Sequence, residues 1–325
     1  MSSKILVIRE EEIDPHVHIR DCIPLVERAF NAAAEEKTDL PTKYHYSGSR
    51  GLWFFMGGIV EPLEAMAIKL GSSRPDNVKR GLPGGFSQVI YYNHETAEPL
   101  ALMEGSRVTA LRTGTAAAIG AKYLARPESK VVGIIGTGEV GWTSLAALNE
   151  CFSLEKVYAA DISEEGRGNF VARARELYPF PVFEATFEEA VRAADILVTA
   201  TPTREPIVKR EWVSKGEHIS AMGADSPGKQ ELESAIYHEA RIVCDSVEQC
   251  LEFGEINNAH RAGLLDEDRI VGEIGEVIVG SKQGRTSNED ITLFDSTGMG
   301  IQDAAVAKLI YETALREGLG SWVEL

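Results

Sequence analysis

Basic residues are in short supply: 33 Lys and Arg against 50 Asp and Glu leave a formal charge of -17. Nucleic acids and anionic membranes attract Lys- and Arg-rich surfaces, so neither is an expected partner. Cysteine is sparse too. Cys22, Cys151, Cys244 and Cys250 contain no C-x-x-C pair, which argues against a disulfide framework and points to a reduced, cytoplasmic setting. His16 and His18 stand two apart with no cysteine or third histidine nearby, so no metal site is expected. No apolar run reaches membrane-spanning length. The N-terminal run Ile5 to Ile8 ends in Arg9-Glu10-Glu11-Glu12 and is too short for a signal peptide. A tyrosine followed four residues later by lysine, the pair of short-chain dehydrogenases, is absent, as is a G-x-S-x-G nucleophile elbow. Internal repeats and low-complexity linkers are also lacking.

What remains is a chain of 325 residues, 44% hydrophobic and 26% charged, the composition of an ordinary folded protein. Its length favours two domains with separate cores. The strongest local signal is Val131-Val132-Gly133-Ile134-Ile135-Gly136-Thr137-Gly138-Glu139-Val140-Gly141. The apolar run reads as a buried parallel strand, and the glycines open a helix. Gly136 allows the tight turn, Gly138 lets backbone approach a pyrophosphate, and Gly141 lets the helix pack on the strand, with the positive end of the helix dipole facing phosphate. Asp161 follows the next apolar strand, Val157 to Ala160, and is placed to accept hydrogen bonds from a ribose 2'-hydroxyl. A carboxylate there repels a 2'-phosphate, so NAD is expected rather than NADP.

Around this signal the chain divides by rhythm. Ile5 to Ile8 reads as a strand and Ile19 to Glu35 as an amphipathic helix. Extended pieces at 52–56, 65–70, 86–92 and 100–103, the last two joined by a turn at Asn93-His94-Glu95, predict a largely antiparallel sheet. An alanine-rich helix over 107–124 follows and leads towards Pro127. Strands are then expected at 131–135, 157–160, 181–184, 195–201, 217–222, 241–244 and 291–296, with helices between most of them. This is a doubly wound α/β pattern, which puts ligands beyond the strand C-termini. Thr199 to Thr203 and Gly223-Ala224-Asp225 are therefore candidate binding segments. A last helix, Ile301 to Glu317, is expected to return to the first domain. The expected fold class is α/β: a Rossmann-type doubly wound dinucleotide domain at 116–300, and an α+β substrate-binding and dimerisation domain at 1–115 plus 301–325.

Several residues outside the glycine turn carry possible chemistry. Lys69 interrupts the apolar strand Ala65-Met66-Ala67-Ile68-Lys69-Leu70. It is either a solvent-facing lysine or a buried cationic anchor. Arg112 lies in the alanine-rich helix, where a solvated arginine is the plain alternative. Lys43, Arg50, Arg74, Lys79 and Arg80 make the first domain locally basic, which suits binding of a small carboxylate through charge-assisted hydrogen bonds. Asp225 either caps a helix starting near Gly228 or faces the active crevice.

Taken together, Ala67-Ile68-Lys69, Ala110-Leu111-Arg112-Thr113, Gly136-Thr137-Gly138, Gly223 to Lys229 and Phe294-Asp295-Ser296-Thr297-Gly298 resemble the ornithine cyclodeaminase and mu-crystallin family over nearly the whole chain. The resemblance implies a homodimer whose first domain supplies the subunit interface and substrate pocket while the second holds NAD. It implies that Lys69 and Arg112 grip the substrate carboxylate and that Asp225 is the catalytic or amine-binding carboxylate. Lys43 stands where many relatives have arginine, which keeps the charge and loses the bidentate fork. The expected cofactor set is Thr113, Gly136, Thr137, Gly138, Glu139, Val140, Gly141, Asp161, Ala200, Thr201, Met222 and Ser296. Cyclodeaminases of the family carry a glutamate in the strand matching Leu52 to Met56, and this chain has no acid there. The expected activity is NAD(H)-dependent interconversion of an L-amino acid and its imino or keto acid. An ornithine or lysine cyclodeaminase, and a crystallin-like binding protein without turnover, are the alternatives.

Overall fold

The structure, a computed structural model, describes residues 4–48 and 51–324. Arg50, one of the basic candidates, lies outside the described residues. The chain divides into two compact units, Met1–Arg112 with Met299–Leu325, and Thr113–Gly298.

The first unit carries β1 (Lys4–Ile8), β2 (Thr38–Asp39), β3 (Tyr44–Gly48), β4 (Gly51–Val60), β5 (Ala65–Ser73), β6 (Gly85–Tyr92) and β7 (Pro99–Glu104). The second carries β8 (Val131–Ile135), β9 (Lys156–Ala160), β10 (Val182–Glu184), β11 (Ile196–Thr199), β12 (His218–Ala221), β13 (Arg241–Cys244), β14 (Ile270–Glu273) and β15 (Thr292–Asp295). The helix Gly300–Glu317 and β16 (Ser321–Glu324) belong to the first unit again.

In the first unit the sheet order is β16-β1-β7-β6-β5-β4-β2, with β3 also on β4. Among the described residues, all its pairings are antiparallel except β1 with β7. The expected 52–56 strand is longer, reaching Val60, because Gly57 and Gly58 continue it under a helix. A side chain at Gly58 would meet Ile301 N at 2.6 Å, and one at Gly300 would meet Gly57 O at 2.0 Å. Glycines on both partners thus let the start of the helix Gly300–Glu317 rest directly on strand backbone. The same sheet face receives Met56, Ala67, Lys69 and Val89 at alternate positions, and all four are buried.

In the second unit every pairing is parallel, in the order β10-β9-β8-β11-β12-β15-β13-β14. The chain leaves β8 towards β9 on one side and β11 lies on the other, so the order reverses beside β8. Ligands of such sheets bind outside the strand C-termini at this reversal. Strands β8, β11, β12 and β15 are almost wholly buried, as central parallel strands must be. Among the described residues, four strands went unread in the sequence: β2, β3, β14 and β16 are short, or polar, or lie at sheet edges. No helix starts near Gly228 either. Gly228 adopts φ +82° in a turn, so Asp225 has no helix to cap there.

Candidate active site

The second unit holds a phosphate-binding turn. Gly136 has φ +97°, a conformation that favours glycine. A side chain at Gly141 would meet Gly136 O at 2.1 Å, so that glycine is needed for packing. Gly138 differs, since a Cβ there would meet nothing within 4 Å. The protein itself leaves that space open, on the side where a ligand's phosphates would approach the backbone. Gly138 is also the N-cap of the helix Glu139–Cys151, which has no side-chain cap hydrogen bond, and Val140 lies in its first turn. An uncapped helix start offers N-H groups and the positive dipole end to an anion.

Asp161 follows β9 and is held in place from both sides. Its Oδ2 accepts from Thr137 N at 2.8 Å and Thr137 Oγ1 at 3.0 Å, and its Oδ1 accepts from Ser163 N at 2.9 Å. Partial burial pushes its pKa up, but the hydrogen bonds from Ser163 and Thr137 outweigh that and hold it below the usual carboxylate range. A cavity of about 430 Å³ is lined by Gly136, Gly138, Asp161, Ile162, Phe187, Ala200, Thr201, Pro202, Thr203 and Ile207. The residues present therefore fit a dinucleotide: a turn that only backbone fills, an ionised acid beyond the next strand, and a cleft lined by both.

Buried Glu231 ties two strand ends together through Thr201, which lines this cleft, and its neighbours. It accepts from Thr199 Oγ1, from Thr201 N and Oγ1, and from Gly223 N, at 2.7 to 3.0 Å. It thus fixes the segments after β11 and β12, including Thr201. Ala200 N donates to Ile135 O at 2.8 Å, and Met222 N to Thr199 O at 2.8 Å. Ser296 Oγ is committed to Asp245 Oδ2 at 2.8 Å, and Thr113 is buried in the helix Gly105–Leu124. Asp225 is half-exposed and accepts from Lys229 Nζ at 2.6 Å.

The first unit holds a buried charged cluster. Lys69 is 2% exposed, so the reading of it as a solvent-facing lysine fails. Its Nζ donates to Thr109 Oγ1, and to Asp303 Oδ1 at 3.3 Å. The Phe54 ring lies 6.0 Å away. Arg112 is also buried, with Nε 3.5 Å from Asp303 Oδ1 and Nη1 donating to Gln302 Oε1 at 3.3 Å. Lys43 is buried close enough to act on Lys69 by charge. Burial lowers the Lys69 pKa to about 8, Asp303 pushes it back up, and Arg112 and Lys43 push it further down. Three atoms of this cluster, Arg112 Nε, Gln302 Nε2 and Asp303 Oδ2, are buried with no hydrogen-bond partner among the described residues. An unmet buried polar group costs about 1–3 kcal/mol. Two donors and one acceptor, beside surplus positive charge, suit a small ligand carrying both a carboxylate and a nitrogen.

The other basic candidates do not join this cluster. Arg74 lines a separate cavity of about 390 Å³ with Trp53, Leu70 and Phe86, which stand on the opposite sheet face from Lys69. Lys79 pairs with Asp76 at 2.6 Å in the open, and Arg80 is exposed. Sequence reasoning missed Asp303, Gln302, Thr109 and Glu231. A signal for Asp303 existed, since it is the only charge in Met299-Gly300-Ile301-Gln302-Asp303-Ala304-Ala305-Val306-Ala307.

Comparison with known proteins places the whole chain. The family model "Ornithine cyclodeaminase/mu-crystallin family" matches residues 4–318. Alanine dehydrogenase of Archaeoglobus fulgidus is 41% identical over 322 residues, covering 98% of each chain. Among solved structures, an archaeal alanine dehydrogenase dimer with bound NAD superposes with a TM-score of 0.95 at 40% identity, covering 99% of each chain. Delta(1)-pyrroline-2-carboxylate reductase of Thermococcus litoralis, in complex with NADH and L-proline, gives 0.92 at 36% identity, covering 98% of this chain and 99% of that one. By its two-unit fold, its glycine turn and these full-length likenesses, the chain belongs to the ornithine cyclodeaminase/mu-crystallin family.

Proposed function

We propose that this protein is an NAD(H)-dependent oxidoreductase that interconverts an L-amino acid and its imino or keto acid by hydride transfer at the α-carbon. The observation that carries this reading is the buried Lys69–Arg112–Asp303 cluster with its three unmet polar atoms. The relatives support it, because alanine, pyrroline-2-carboxylate and proline are all amino or imino acids.

In this reading Arg112 and Lys69 hold the substrate carboxylate by charge-assisted hydrogen bonds, and Lys43 adds positive charge. Asp303 lies against both nearer cations and offsets one of their two charges, leaving a net positive charge for the carboxylate. Asp225 exchanges a proton with the amino or imino nitrogen. The turn at Gly136 to Gly141 and the acid Asp161 hold NAD, which when bound supplies the hydride acceptor or donor. Fixing the carboxylate fixes the α-carbon, and such positioning can remove about 7–11 kcal/mol from a barrier. A cyclodeaminase is less well supported: Met56, buried and directly opposite Lys69 in the β4–β5 register, gives this strand no acid on the Lys69 face.

We also propose a homodimer. Tyr44, Tyr46, Trp53, Phe55, Leu70 and Phe86 are exposed on one face of the first unit's sheet, where register pairs Tyr44 with Phe55 and Phe55 with Leu70. An aromatic face of this extent is characteristic of a subunit interface. Sedimentation or light scattering tests it, and a monomer at micromolar concentration refutes it.

The activity is tested by following NADH oxidation with a panel of 2-oxo acids plus ammonia or amines, and with cyclic imino acids. Consumption with at least one is expected. Silence across the panel while NADH still binds refutes the reading, and proline or pipecolate formed from ornithine or lysine without net NADH replaces it with the cyclodeaminase.

A further inference from the structure

The adenosine end of the dinucleotide cleft has charges that the activity does not explain. Beside Asp161 lies a second cavity of about 440 Å³, whose charged lining residues are Asp161, Arg167, Glu184 and Glu189. Of the described residues lining it, three are acids and Arg167 is the one cation. Glu189 is engaged in its own helix cap, accepting from Thr186 N at 2.8 Å and Thr186 Oγ1 at 2.9 Å. Arg167 would be a natural partner for a phosphate, since guanidinium groups match phosphate oxygens in a fork. It is already occupied, however. Its Nε donates to Glu184 Oε2 at 2.9 Å, and its Nη1 donates to the Asp161 carbonyl oxygen at 3.1 Å.

The placement follows from the fold. Glu184 ends β10, the edge strand, whose register sets it beside Ala159 of β9, two residues before Asp161. Arg167 lies in the first turn of the helix Glu164–Leu177, which Ser163 caps through Gly166 N. Edge strand and helix start therefore meet at the rim of the ribose position, with the arginine's charge turned onto the strand.

We propose that Glu184 is a cofactor-specificity residue: by pairing with Arg167 it withholds the cavity's cation from a 2'-phosphate and adds its own negative charge, so that rejection of NADP rests on Glu184 together with Asp161. This deepens the NAD reading of the same site. Two locks of this kind give a distinctive outcome. Removing Asp161 alone leaves Arg167 neutralised, and removing Glu184 alone leaves the Asp161 carboxylate in place. Only the double change both clears the repulsion and frees the arginine.

The test measures equilibrium binding of NADH and NADPH through nicotinamide fluorescence, which needs no substrate. The proteins compared are the wild type, Asp161→Ser, Glu184→Gln, the double variant, and the double variant with Arg167→Met. Each single change is expected to raise NADPH affinity by less than about threefold, and the double change by at least tenfold beyond their product. Arg167→Met should cancel that gain while leaving NADH binding of the double variant within about twofold. NADPH affinity as high in Asp161→Ser as in the double variant, or retained without Arg167, overturns the proposal. Failure of the wild type to bind NADH at all would instead overturn the dinucleotide reading on which the proposal rests.

Discussion

Asp303→Asn isolates the electrostatics of the substrate cluster. The groups facing the Lys69 ammonium are Asp303 on the helix Gly300–Glu317, Thr109 and Arg112 on the helix Gly105–Leu124, Lys43 before β3, and the Phe54 ring on β4. With Asp303 present, Lys69 titrates at about 8. Asp303 is the sole charge in this set that favours the ammonium form, so its removal moves the pKa down. An adjacent opposite charge is worth about 1–3 pKa units. For a fall of about one unit, the protonated fraction at pH 8 drops from about one half to about one tenth, and at pH 9 by a further factor of about ten. If the ammonium binds the carboxylate, substrate KM in the variant should match the wild type near pH 6 and then climb about one pH unit earlier. The assay is KM against pH from 6 to 9.5, with the Kd for NADH as a control that should not move. Stability gives a second readout. The Lys69 pKa in the folded protein lies below its unfolded value near 10.5, so the unfolded chain binds more protons between the two. The penalty for the buried charge is therefore fully present below the folded pKa and fades as pH rises towards 10.5. In the variant that relief begins at lower pH, so its deficit in Tm should shrink between pH 7 and 9. A KM profile that overlays the wild type, or shifts to higher pH, refutes the reasoning.

Other outcomes follow from single contacts. Gly138→Ala should leave Tm within about 2 °C, because its backbone is extended and its Cβ meets nothing, yet weaken NADH binding about tenfold by filling the phosphate approach. Gly141→Ala should lower both, since its Cβ would meet Gly136 O at 2.1 Å; equal effects of the two changes on Tm would contradict the packing argument. Glu217 is 1% exposed, burial raises its pKa to about 8, and its Oε1 has no hydrogen-bond partner among the described residues. The native form keeps a proton that the unfolded chain has lost above pH 4.5, so this group's contribution to stability falls as pH rises from 4.5 to 8. Glu217→Gln should therefore raise Tm most above pH 8 and least near pH 5, and a gain independent of pH would refute this. Asp225→Asn should reduce kcat by about 10²–10⁴-fold with little change in substrate KM if it transfers the proton; a fall confined to KM would assign it to binding instead.

The glycine turn was legible in the sequence because its parts are close together in the chain. Strand, turn and helix start fall within eleven residues, and each glycine answers a local demand of backbone conformation or approach. Asp161 was legible for a related reason: parallel pairing of β8 and β9 sets the end of one strand beside the end of the next. Lys69 and Arg112 stood out as charges in apolar or alanine-rich segments. Strands β3 and β14 were missed because polar or glycine-containing strands at sheet edges lack a buried two-residue period.

By itself the sequence determined the parallel sheet and the phosphate turn, which depend on local periodicity, and marked Lys69 and Arg112 as charges where apolar residues belong without deciding whether they are buried. Only the tertiary structure decided what those cations touch. Asp303 stands 234 positions from Lys69 and meets it because Gly57, Gly58 and Gly300 let a helix start settle onto strand backbone. Glu184 and Arg167 likewise pair only through the register of an edge strand. Charge balance in a buried site is a sum over neighbours in space, and no spacing along the chain encodes that sum.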